Sequence, residues 1–196
     1  MQKKILYIHG FASAGSSGTA TQLRNHFYPK GVAVISPDVP LLPLEAITFL
    51  KELVLKEQPV LIIGTSMGAL YAEQLYGIPR ILVNPSFHMS RSLTFKGLGK
   101  RDFFNKRLDG AKTFVVDKQM VEGFKKLEEN SFQGISDEEK SLVYGLFGTQ
   151  DKTVNCQSDY KKHYGEGHFQ LFEGEHRLNG HILDKVVVPL IESILK

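Results

Sequence analysis

Cysteine is nearly absent from this chain: Cys156 is the only one among 196 residues. A single thiol cannot close an internal disulfide, which agrees with a reducing compartment. Long apolar runs are missing as well. The opening "MQKKILYIHG" places two lysines before only four apolar residues and His9, too short for a signal-peptide core. Nowhere do about eighteen apolar residues follow one another, the length a membrane span needs. The expectation is a cytoplasmic protein with no membrane span. Charge of one sign is not in excess either. A formal net charge of +3 lacks the clustered basic surplus of a nucleic-acid binder, so no nucleic-acid partner is expected. Two nucleotide fingerprints also fail. "GFASAGSS" (10–17) has the glycine spacing of a phosphate-binding loop, but Ser16 stands where a lysine is needed. The glycines at 64 and 68 are spaced G-x-x-x-G, not G-x-G-x-x-G.

What is present is the composition of a globular protein, 42% hydrophobic and 23% charged, with no repeat and no low-complexity tract. The length suits one domain, 1–196, able to bury roughly two thirds or more of its surface. Short apolar runs, "ILYI" (5–8), "VAVI" (32–35), "VLII" (60–63), "ILV" (81–83), "LVYGLF" (142–147) and "FQLF" (169–172), show no polar alternation, as expected of parallel strands covered on both faces. Helical stretches fall near 19–28, 44–57, 67–76, 153–163 and 180–195. Strand followed by helix, repeated, predicts an α/β fold: a doubly wound, mostly parallel sheet of about six strands with helices on both faces. One interval, about 88–140, breaks the rhythm. Between residues 91 and 112 it carries seven Lys or Arg against Asp102 and Asp109, interleaved with Phe95, Phe103 and Phe104. A cap or lid over a site explains that mixture; so does a solvated insertion with its aromatics tucked inward. Pro189 should bend the last helix, because its ring removes a backbone donor.

"VLIIGTSMGAL" (60–70) holds the sharpest signal. Gly64-Thr65-Ser66-Met67-Gly68 has the G-x-S-x-G form between a predicted strand and a predicted helix, the setting of a nucleophile elbow. Glycine at 64 and 68 removes the Cβ atoms that so tight a turn would bring into collision. Ser66 then stands at a helix N-terminus, where free N–H groups favour developing negative charge.

A serine hydroxyl needs a base to take its proton and a third group to orient that base. In this strand-elbow-helix arrangement the chain order is Ser, acid, His. "FGTQDKTV" puts Asp151 in the loop after the strand that ends near Phe147, and "FEGEHRL" puts His176 in the loop after the next. Parallel strands deliver both loops to the edge from which Ser66 projects. His181, within the last helix, is the rival base. Asp117 is the runner-up acid, while Glu173 and Glu175 lie too close to His176 in sequence for easy approach. Asp38, beside proline, is read as bracing its own turn. His9 is read as packing behind the site, His163 and His168 as surface residues, and His88 as a pocket-lining candidate. Cys156 is a weak candidate nucleophile beside its plain reading as a small side chain. Donors for an oxyanion are expected from the backbone N–H groups of Phe11, in the loop after the first strand, and Met67.

The pieces "YIHGFASA" (7–14), "IGTSMGALYA" (63–72), "LVNPSF" (82–87), "FGTQDKTV" (147–154) and "GEHRL" (174–178) resemble the α/β-hydrolases, and more narrowly the YqiA-like small esterases. That resemblance implies a triad of Ser66, Asp151 and His176, hydrolysis of carboxylic esters with modest acyl chains, a small-molecule ester or thioester as substrate, and neither cofactor nor metal. A thioesterase or peptidase with the same triad is the alternative; the basic residues of the insertion favour an anionic thioester of the acyl-CoA type. A non-catalytic binding protein of the same fold is a further one. The 88–140 segment matches no motif of the resemblance.

Overall fold

The computed structural model describes residues 2–196. Its main sheet is built from β1 (Lys4–Ile8), β2 (Ala33–Ile35), β3 (Leu61–Thr65), β4 (Arg80–Val83), β7 (Val143–Gly148) and β8 (Phe169–Phe172), in the order β2-β1-β3-β4-β7-β8. Every neighbouring pair in it is parallel. The uniform apolar runs now have their reason, since alternate residues of each strand serve two separate cores. Leu6 and Ile8 of β1, Ile62 of β3, Leu82 of β4 and Val143 and Phe147 of β7 enter one core; Ile5 and Tyr7, Leu61 and Ile63, Ile81 and Val83, and Leu146 enter the other. With both faces buried, the central strands are largely apolar, and a charged exception such as the fully buried Arg80 of β4 is paired with Glu139.

On the first face lie α2 (Pro43–Glu57), α3 (Met67–Glu73), α4 (Met89–Lys96), α5 (Lys118–Glu129) and α7 (Gln157–Tyr164), contributing Leu50, Leu70, Leu93, Phe124 and Tyr160 among others. The second face is covered by α1 (Gly18–Phe27) and the C-terminal helix, through Leu23, Phe27, Leu183 and Ile191. That last helix is continuous but irregular. It begins as α8 (Gly180–Ile182), passes through a π-helical turn (Leu183–Val187), and resumes as α9 (Val188–Leu195). Pro189 is the cause: with no N–H to offer, it cannot continue the i→i−4 ladder, and the turn before it widens instead.

The 88–140 interval forms α4, an antiparallel pair β5 (Gly99–Asp102) and β6 (Thr113–Val116), and α5, with α6 (Asp137–Ser141) following before β7. It is strapped to the loop after β1: Phe104 N–H donates to the Ala12 carbonyl at 2.8 Å and Ser13 Oγ–H to Asn105 Oδ1 at 2.9 Å. Phe103 and Phe114 pack with their rings tilted, centroids 4.6 Å apart, and Phe11 is edge-on to Phe114. Phe95 and Phe104 point outward, 92% and 62% exposed, so the aromatics of the segment divide between the two orientations.

Among the described residues, no helix is long and apolar enough to cross a membrane.

Candidate active site

The strand order reverses direction at β1 and β3, and at such a point the loops leaving the carboxyl ends of adjacent strands diverge and open a crevice. Ser66 sits there, one residue past β3 and directly before α3. Its backbone is held at φ 55°, ψ −117°, a region that costs a non-glycine residue on the order of 1–3 kcal/mol and persists only when its surroundings enforce it. They do. Ser66 N–H donates to the Val83 carbonyl at 3.0 Å, and its own carbonyl accepts from Ala69 and Ser86 N–H, both at 3.1 Å. The flanking glycines are required by contact. A Cβ on Gly64 would stand 2.4 Å from the Gly68 carbonyl oxygen, and one on Gly68 only 2.1 Å from that of Ile8. The elbow is therefore pressed against both its own helix and the neighbouring strand.

Ser66, Asp151 and His176, expected from the sequence to converge, are brought together. His176 Nε2 lies 2.9 Å from Ser66 Oγ, and His176 Nδ1 lies 2.7 Å from Asp151 Oδ2. Asp151 Oδ1 accepts the N–H groups of Thr153 at 2.8 Å and Val154 at 3.1 Å. Burial works to raise the pKa of this carboxyl, but the hydrogen bonds from His176, Val154 and Thr153 together hold it below its ordinary value. The carboxylate is thus an acceptor only. It follows that Nδ1 carries the proton of a neutral imidazole, and Nε2 offers its lone pair to the serine hydroxyl.

The other candidates have structural partners. Asp117 caps α5, accepting Met120 N–H at 2.8 Å. His181 is exposed on α8, and Glu173 and Glu175 are exposed in the loop after β8. His9 is 2% exposed; its Nε2 accepts Val39 N–H at 3.1 Å, which leaves Nδ1–H to donate to the Gly10 carbonyl at 2.9 Å. Burial foremost depresses its pKa, so it stays a neutral brace behind the site. Asp38 does not brace its own turn. It accepts Gly15 N–H at 2.7 Å and Leu108 N–H at 2.6 Å, joining the loop after β1 to the inserted segment, because its carboxylate points across to those two donors. His163 and His168 are half-buried under stacking contacts with Phe132 and Tyr144. His88 is outside the cleft wall and faces Asp159. Cys156 is buried, and burial foremost pushes its thiol up to about 11, which leaves little thiolate at neutral pH.

Asn84 was not singled out from the sequence as a site residue, although it lies within "LVNPSF". It follows β4 with φ 45°, 2% exposed, and its side chain joins three segments. Nδ2–H groups donate to the Glu175 and His176 carbonyls, each at 3.0 Å, and Oδ1 accepts Gly148 N–H at 2.7 Å. The loop bearing Asp151 and the loop bearing His176 are pinned to one another through it. The available signal was an Asn at a strand end beside the elbow strand, since Asn tolerates left-handed backbone and offers both donor and acceptor.

Ser66 and His176 open on a cleft of about 1560 Å³. Gly10 approaches so closely that a Cβ there would lie 3.3 Å from Ser66 Cβ, which puts the backbone of the loop after β1 beside the hydroxyl; Phe11 follows in that loop and lines the cleft. Met67 is the first residue of α3. Apolar wall comes from Phe11, Met89, Leu93, Val154, Leu178 and Leu183, and cationic side chains from Lys96, Lys100, Arg101, Lys152 and Arg177, against the carboxylates Asp102 and Glu175.

Solved structures share this fold. A presumed hydrolase from Agrobacterium vitis S4 matches with a TM-score of 0.73 at 15% identity, over 100% of this chain and 88% of its own. Est1E from Butyrivibrio proteoclasticus matches with 0.62 at 16% identity, over 100% and 88%. The monoacylglycerol lipase of Paleococcus ferrophilus matches with 0.62 at 14% identity, over 98% and 93%. At such identities the likeness is one of fold, the α/β-hydrolase fold. Residues 4–180 fit the model of a family described as an uncharacterised protein family, UPF0227, and on that match over most of its length the chain belongs to this family, the YqiA-like group that its motifs resemble.

Proposed function

We propose that this protein is a serine hydrolase of small-molecule carboxylic esters that works through an acyl-enzyme intermediate. The observation that carries the reading is the unbroken line from Asp151 Oδ2 to His176 Nδ1 at 2.7 Å and from His176 Nε2 to Ser66 Oγ at 2.9 Å, opening on a partly apolar cleft. In this reading His176 takes the Ser66 proton as Oγ attacks the ester carbonyl, Asp151 orients the imidazole and stabilises its cationic form, and the Phe11 and Met67 N–H groups receive the oxyanion. His176 then gives the proton to the leaving alkoxide. Water, deprotonated by the same imidazole, attacks the acyl-Ser66 ester, and Ser66 recovers its hydrogen as the acid departs. The 88–140 segment serves as a cap, since Met89, Leu93, Lys96 and Lys100 reach the cleft from it.

A second reading, a thioesterase, is favoured by the five cations of the cleft wall, which would attract a thioester carried on an anionic group. The same triad would serve it. The two are separated by turnover of matched oxygen esters and thioesters with neutral and anionic leaving groups. Both require that Ser66→Ala lower turnover on the order of a millionfold while circular dichroism stays unchanged. A folded Ser66→Ala variant with turnover within tenfold of the parent would rule out both.

A further inference from the structure

On the α7 side of the Asp151 loop, away from the cleft wall, three side chains of metal-ligating type converge. His88 lies between β4 and α4, Cys156 immediately precedes α7, and Asp159 stands in the first turn of that helix. Their ligand atoms all lie within 4.8 Å of one another, and His88 Nε2 is 3.2 Å from Asp159 Oδ2. Cys156 and Asp159 are three residues apart, so a helical turn brings them to one face. His88 arrives from a different segment and closes the third corner.

We propose that His88, Cys156 and Asp159 form a binding site for a divalent transition metal of the zinc class. Bond lengths to tetrahedral zinc of about 2.0–2.3 Å set ligand atoms roughly 3.3–3.7 Å apart. The histidine–aspartate edge is already near that value, and a thiol within 4.8 Å reaches it by adjustments of about an ångström in an exposed imidazole and a half-buried carboxylate. The donor set decides the class of ion. A thiolate with an imidazole is too soft for magnesium or calcium and suits zinc, cobalt or nickel, with the one carboxylate completing a mixed set. Three protein ligands leave a fourth position for water. On coordination the metal–sulfur bond replaces S–H, and the thiol proton leaves to solvent.

A surface ion pair of His88 with Asp159 alone is worth little, about 0–1 kcal/mol, and needs no thiol beside it. With an ion present, the segment after β4 is tied to the start of α7. Ser86, two residues before His88, donates its N–H to the Ser66 carbonyl, and Asp151, five residues before Cys156, holds the turn leading to it. The metal would therefore clip together two backbones that border the candidate active site. The site itself stands independently of the hydrolase reading.

The test is titration of the full-length, tag-free, metal-free protein with Co²⁺, followed by displacement with Zn²⁺. One equivalent of Co²⁺ should produce the near-ultraviolet thiolate-to-cobalt band and visible bands of tetrahedral intensity, both abolished by excess Zn²⁺. Cys156→Ser should lose the thiolate band. His88→Ala, at a residue exposed enough to be replaced without disturbing the core, should weaken binding at least tenfold. Absence of a thiolate band in the parent protein, or undiminished affinity in a folded His88→Ala variant, would overturn the proposal.

Discussion

Replacing Asn84 by alanine removes one side chain and strands three partners in a buried place. The Gly148 N–H loses its acceptor at 2.7 Å, and the Glu175 and His176 carbonyls lose donors at 3.0 Å. A buried amide left without a partner costs about 1–3 kcal/mol, and the two lost carbonyl bonds add roughly 0.5–1.5 kcal/mol each. A loss near 3 kcal/mol corresponds to a fall in Tm of about 6–12 °C for a protein of this size. Alanine also retains a Cβ at φ 45°, a conformation that disfavours it by about 1–2 kcal/mol relative to glycine. Asn84→Gly, which breaks the same three bonds without that strain, should therefore melt above Asn84→Ala. For turnover the consequence is positional. With the loops of Asp151 and His176 no longer joined, a displacement of about 1 Å in the imidazole lowers kcat on the order of a hundredfold. Asn84 does not line the cleft, so KM should scarcely move. Calorimetry and steady-state hydrolysis of a p-nitrophenyl ester measure both effects. Wild-type Tm and kcat in Asn84→Ala, or a loss confined to KM, would refute the positioning role.

Two further outcomes follow from charge. Asp151 has its pKa depressed in the folded state, so its contribution to stability is fully present above the unfolded value, near pH 4, and is lost as pH falls through the folded one. Asp151→Asn should remove that acid-side slope from urea midpoints measured between pH 2.5 and 6, and should lower kcat on the order of ten-thousandfold through the wrong imidazole tautomer; an unchanged slope or unchanged kcat would count against the assignment. Glu73 is fully buried, and burial foremost raises its pKa although Tyr164 and Phe132 donate to it. Its native state binds more protons than the unfolded chain above about pH 4, so stability should fall as pH rises toward the folded pKa. Glu73→Gln should flatten that decline in denaturant melts from pH 4 to 9, and an identical decline in the variant would contradict it.

The sheet was legible because burial on both faces writes itself as apolar runs in the central strands; the edge strand β8, whose Gln170 and Leu171 are exposed, still matches "FQLF" residue for residue. The convergence of Ser66, Asp151 and His176 was legible for a topological reason: parallel strands send every following loop to one edge, whatever lies between them. The hairpin β5–β6 was not. Gly99–Asp102 is polar and half exposed, so it carries no apolar periodicity, and its partner Thr113–Val116 lies beyond the intervening 103–112 segment. The π-helical turn before Pro189 was legible as a disturbance but not in kind. Asp38 escaped because a short polar side chain near proline reads as a turn brace, and Asn84 because nothing beyond its place at a strand end marks it; in both cases only three-dimensional packing reveals that the donors and acceptors belong to distant segments.

The most direct measurement is intact-protein and peptide mass spectrometry after exposure to a fluorophosphonate. Such a probe is attacked by a serine oxygen whose proton an adjacent base removes. The expected result is a single phosphonyl adduct per chain, mapped to Ser66, and no adduct on Ser66→Ala. Labelling of another residue, or equal labelling of the variant, would contradict the assignment of Ser66, Asp151 and His176 as a working triad.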